Sequence, residues 1–105
     1  MNYQKIYDAI IVHRKINSAS GYVESHHILP KCMGGSDESD NIVCLTAREH
    51  YLCHWLLWKI HRSPQLAHAF WSMSRVGKGQ HRNITSAMYS RAKDAHAGAM
   101  RVSMV

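Results

Sequence analysis

The chain has 105 residues, with 13 Lys and Arg against 7 Asp and Glu, a formal net charge of +6. A chain this short encloses a single hydrophobic core, which excludes a multidomain enzyme, and its positive balance favours a polyanionic partner such as nucleic acid over an acidic one. An apolar content of 46% argues against disorder throughout, and the longest apolar stretch, Tyr51 to Ile60, is broken by His54 and Lys59. It falls short of the roughly 18 uncharged residues that a membrane span requires, so no membrane partner is expected.

Tyr3, Ile6, Tyr7, Ile10 and Ile11 lie on one helical stripe, and Arg14 and Lys15 stand where they offset the dipole of a last turn. A first helix is therefore expected over about 3–16. The N-terminal region holds only a short apolar run, Ala9 to Val12, too little for a secretory signal, so a cytoplasmic chain is expected. After the polar connector Asn17 to Gly21, Tyr22-Val23-Glu24 alternates as a strand that leads into Ser25-His26-His27-Ile28-Leu29 and stops at Pro30. Gly34-Gly35 and the polar run Ser36 to Asp40 read as a loop, and Asn41 to Leu45 as the returning strand of a hairpin.

Thr46-Ala47-Arg48-Glu49 is a capping box and starts a helix at Ala47 that should run to about Arg62. Its apolar residues lie almost all round, as in an element packed on more than one side. Ser63-Pro64 opens another helix that Gly77 ends, and Thr85 can cap a last one stopped near Gly98. Between these two lies a basic loop, Gly77 to Asn83. Trp55, Trp58 and Trp71 sit at helical spacing beside Leu and Ile and read as core. Cys32, Cys44 and Cys53 lack any Cys-x-x-Cys spacing and read as reduced, small core hydrophobes.

Spacing singles out four of the nine histidines. His50 and His54, four apart on the capped helix, share one face at a distance that suits two imidazoles on one metal ion. His26 and His27 must point oppositely in a strand, so one can bind metal while its neighbour faces a substrate. Glu24 shares the face of His26 and offers a carboxylate to orient an imidazole or a nearby Arg. His13, His61, His68 and His96 read as surface or packing residues.

Glu24-Ser25-His26-His27-Ile28-Leu29-Pro30, Gly34-Gly35, Asp40-Asn41-Ile42-Val43, Glu49-His50 and His54 together resemble the HNH endonuclease family over roughly residues 22 to 54. The flanking sequence is similar to small bacteriophage HNH proteins, often homing endonucleases. The resemblance implies an α+β, mostly helical fold: a ββα-metal (His-Me finger) core over about 22–60, a helix before it and helices over about 64–98 after it, in one domain. It implies a metal-dependent DNA endonuclease acting in the host cytoplasm and leaving 5′-phosphate and 3′-hydroxyl ends, with no small-molecule cofactor. By position, His27 resembles the general base, Asn41 the residue that braces the loop behind it, and Glu24 an acidic supporting residue. His26, His50 and His54 resemble metal ligands. The resemblance puts Mg²⁺ or Mn²⁺ slightly ahead, although three imidazoles suit Zn²⁺ or Ni²⁺. In that setting Lys31, Arg75, Lys78 and Arg82 are expected to contact DNA phosphates. Two other readings are a non-catalytic DNA-binding module that keeps the hairpin, and a structural zinc domain, which would need a closed four-ligand site.

Overall fold

The structure, a computed structural model, describes residues 2–74. Three helices and one hairpin follow in chain order: α1 (Tyr3–Ile16), β1 (Glu24–His27), β2 (Ile42–Leu45), α2 (Ala47–His61) and α3 (Pro64–Ser74). Short 3-10 turns at Lys31–Met33 and Ser39–Asn41 shape the long loop of the hairpin. The expected helix after Thr85 and the basic loop Gly77 to Asn83 lie outside the described residues. Among the described residues, no helix is long and apolar enough to cross a membrane.

Local chemistry accounts for the boundaries. The Asn2 side chain accepts from the Lys5 amide at 3.0 Å and starts α1. Thr46 Oγ1 accepts from the Glu49 amide while Glu49 Oε1 accepts from the Thr46 amide, closing the capping box at the start of α2; such a cap is worth about 1 kcal/mol. The helix ends one residue earlier than its apolar pattern suggests, because Arg62 turns into the left-handed region (φ 57°) and its amide closes on the Trp58 carbonyl. Pro64 then begins α3, with the Ser63 hydroxyl accepting from the Leu66 amide. β1 begins at Glu24 and not Tyr22, because Gly21, at φ 81°, holds the turn before it. Asn41 is drawn into a 3-10 turn, leaving β2 to begin at Ile42.

β1 and β2 are antiparallel, with Glu24 opposite Leu45, Ser25 opposite Cys44, His26 opposite Val43 and His27 opposite Ile42. A lone two-stranded hairpin is marginal in water. Here one face is covered: Val43 and Leu45 pack with Tyr7 and Ile11 of α1, Cys53, Leu56 and Leu57 of α2, and Leu66 of α3. A second cluster, Tyr51 and Trp58 with Ala67 and Phe70, fills the space between α2 and α3. These two clusters explain why α2 is apolar almost all round. Of the tryptophans, Trp58 is buried while Trp55 and Trp71 are half-buried against the core. The cysteines correct the expectation: only Cys53 is core, and Cys32 and Cys44 are exposed, one in the hairpin loop and one on the outward face of β2.

α1 is tied to the start of α2 by Arg14, whose Nε donates to both Glu49 carboxylate oxygens at 2.9 and 3.0 Å. Burial alone would raise the Glu49 pKa, but the bonds from Arg14 and from Thr46 outweigh it and hold the carboxyl below its usual range. A carboxyl depressed on folding contributes stability that is present above its unfolded pKa and lost as pH falls through the folded value. Glu49→Gln should therefore lower the melting temperature at pH 7, and its deficit against wild type should shrink below about pH 4.5. Thermal melts across that range check this; a pH-independent gap would assign the effect to packing.

Candidate metal centre

Strand alternation puts Glu24 and His26 on the inward face of β1, and the four-residue repeat of α2 aims His50 and His54 at the same place. The three imidazoles meet edge to face, His26 at 5.2 Å from both His50 and His54 and those two at 5.0 Å from each other, ring centre to ring centre. One nitrogen from each lies within 4.8 Å of the others. Such a group could hold a metal ion by geometry and donor type. The donors fit a metal electronically as well: burial first, then the neighbouring histidines, pull the His26 pKa down to about 3, so at neutral pH the imidazole is uncharged and keeps a lone pair for coordination. His26 is 1% exposed, and its Nδ1 has no hydrogen-bond partner among the described residues.

Carboxylates stand behind the rings. Glu24 Oε1 lies 2.7 Å from His50 Nδ1, and Tyr22 donates its hydroxyl to Glu24 Oε2 at 2.6 Å. Glu24 thus serves the helical imidazole across the hairpin and not the one on its own strand. This contact holds the His50 ring through its Nδ1 edge.

His27, on the opposite face of β1, is half-buried, and its Nε2 lies 2.8 Å from Asp37 Oδ1. Lys31 Nζ donates to the other Asp37 oxygen at 3.1 Å. The bond from His27, and then that from Lys31, hold the Asp37 carboxyl below its ordinary range, so it is ionised and His27 must donate to it. A cleft of about 400 Å³ is lined by His27, Lys31, His50 and His54 and by Gln65 and Leu66 of α3.

Asn41 clips the hairpin loop shut. Its Oδ1 accepts from the Leu29 amide at 2.8 Å, its Nδ2 donates to the carbonyls of Leu29 and Ser36, and its own carbonyl accepts from the Ile28 amide. Gly35 lies so close to this clip that a Cβ would stand 1.8 Å from the Leu29 carbonyl oxygen, whereas at Gly34 the demand is a left-handed backbone (φ 94°) with open space around it. Gly35→Ala should therefore distort the segment after His27, with a loss of thermal stability clearly larger than that of Gly34→Ala, which carries only the strain of about 1–2 kcal/mol expected for a left-handed Ala. Equal melting temperatures for the two variants would refute the close approach.

The structure thus brings together His26, His50 and His54, with Glu24 behind them, and sets His27 and Lys31 on the cleft that His50 and His54 line. Arg75, Lys78 and Arg82 lie outside the described residues, as does His96; His13, His61 and His68 are exposed. Sequence pattern does not single out Asp37, hidden in a polar loop run, or Tyr22, which alternation places in the strand. Nor does it show the second duty of Tyr7, which stands in the apolar stripe of α1 yet carries a hydroxyl that needs a partner once buried.

An antiparallel hairpin, the helix that follows it and a histidine cluster between them define a ββα-metal module of HNH type. Proteins of Enterobacteria phage T4 carry similar sequences. The chain is 44% identical over 96 residues to probable mobile endonuclease E, covering 89% of this chain and 68% of that protein. It is also 44% identical over 103 residues to probable mobile endonuclease D and 38% identical over 110 residues to probable mobile endonuclease B, covering 90% and 99% of this chain. It spans about two fifths of the length of those two relatives, 40% in each case. No family model and no solved structure matches the chain. The chain belongs to the family of these phage mobile endonucleases.

Proposed function

We propose that the protein is a metal-dependent DNA endonuclease in which His27 is the general base and His26, His50 and His54 hold one divalent ion. The observation that carries this reading is the shared cleft: His27, Lys31, His50 and His54 line one space, and His50 and His54 cluster with His26. The names of the T4 relatives support a nuclease, and the +6 charge supports a polyanionic substrate.

Hydrolysis of a phosphodiester needs a deprotonated water and positive charge where the phosphorane gathers negative charge. Imidazole, with a pKa of about 6.5 in water, is the side chain best matched to taking a proton near neutral pH. His27 would use Nδ1 for this, because Asp37 occupies Nε2 and keeps the ring from turning. Asn41 fixes the backbone just beyond His27, and Glu24 holds His50 in one orientation. Lys31 would exchange Asp37 for a substrate phosphate. A divalent ion held by His26, His50 and His54 would supply the positive charge that the transition state needs. Three imidazoles suit Zn²⁺ or Ni²⁺, while the family resemblance favours Mg²⁺ or Mn²⁺.

Incubation of end-labelled duplex DNA with the protein and Mg²⁺, Mn²⁺, Ni²⁺, Zn²⁺ or EDTA tests the reading. Cleavage that needs a divalent ion and stops with EDTA is expected. DNA binding without cleavage in any metal would mean a non-catalytic binding module.

A further inference from the structure

We propose that Tyr7, from the helix outside the hairpin module, is a positioning residue that selects which nitrogen of His26 is offered to the metal. The inference rests on the reading of the three histidines as metal ligands. Its basis is a count of protons. The Tyr7 hydroxyl lies 2.7 Å from the Ile28 carbonyl oxygen and 2.8 Å from His26 Nε2. A phenol has one proton to give, and a carbonyl can only accept, so the Tyr7 proton goes to Ile28. The contact with His26 is then a hydrogen bond only if Nε2 carries a hydrogen and donates it to the phenol oxygen. A neutral imidazole has one such hydrogen, so Nδ1 is bare.

Two further observations agree with this count. Nδ1 is the His26 nitrogen that is buried with no hydrogen-bond partner among the described residues. The His26 ring packs edge to face against both other imidazoles. In the other tautomer a hydrogen would occupy the metal-facing nitrogen, and Tyr7 would have to withdraw its proton from Ile28 to satisfy Nε2. Tyr7 and Glu24 are thus complementary: Tyr7 holds His26 through Nε2, and Glu24 holds His50 through Nδ1.

The test uses the full chain, wild type and Tyr7→Phe, which keeps the ring that fills the core and removes only the hydroxyl. Imidazole ¹⁵N spectra of the metal-free wild type should show His26 protonated at Nε2, and in Tyr7→Phe the two tautomers should mix. Calorimetric titration with Ni²⁺ or Zn²⁺ alone should show affinity reduced about ten- to a hundredfold in Tyr7→Phe, the loss usual when an outer partner of a ligating histidine is removed. A wild-type His26 protonated at Nδ1, or unchanged metal affinity in Tyr7→Phe, would overturn the proposal. Should Tyr7→Phe not fold, the wild-type spectrum still decides it. A wild type that takes up neither metal would instead sink the reading of the triad as ligands, while the tautomer spectrum continues to judge Tyr7.

Discussion

His27→Ala is expected to abolish DNA cleavage, by about 10²- to 10⁴-fold in single-turnover rate, while metal affinity and DNA affinity stay near wild type. The reason lies in the division of the two faces of β1. His26 faces inward to the triad, whereas His27 faces the other way and bonds to Asp37, outside the group of metal-facing nitrogens. Removing its ring deletes a proton acceptor and leaves Asp37 to Lys31, an exposed pair that water also satisfies. Single-turnover cleavage, calorimetry with metal, and a gel-shift assay in EDTA together check the three parts. Retention of more than about a tenth of the rate would place the base elsewhere.

His50→Ala should have the opposite signature, losing metal and activity together. It removes one of three imidazoles and also leaves the Glu24 carboxylate, itself largely buried, without the ring that it orients. The loss of metal affinity should exceed the ~10–100-fold typical of an outer-sphere partner, and the apo protein should also be less stable, because a buried carboxylate without its partner is costly. Metal titration and thermal melts of the apo form separate the two effects. An unchanged stoichiometry and affinity would take His50 out of the site.

Much of the fold and the site is legible in the amino-acid sequence. The α1 stripe includes the two buried residues, Tyr7 and Ile11, because period and burial are linked through helix geometry, although Ile6 on its edge is exposed. The capping box locates the start of α2 to the residue, since that signal depends on side chains and amides only three positions apart. The i, i+4 pair His50 and His54 is visible for the same local reason. The paired strand residues His26 and His27 can be given opposite faces, although alternation alone does not say which one faces the metal. The cysteines are harder: a small apolar side chain on a two-stranded hairpin is as easily outward as inward, and Cys44 is outward, opposite the exposed Ser25.

By itself, the sequence determined the local elements, the order of hairpin and helix, and the residue types able to hold a metal and move a proton, because each of these depends on neighbours within a few positions. The tertiary structure decided which partner holds each of these histidines. That required Tyr7 to reach His26 across 19 residues, Glu24 to reach His50 across 26, and Asp37 to fold back on His27 across 10. Hydrogen-bond direction is set by which groups the packed chain places within about 3 Å, and no periodicity encodes it. The chemistry of the site is therefore written in the sequence as a set of residue types, and its proton arrangement exists only once α1, the hairpin and α2 are packed around one core.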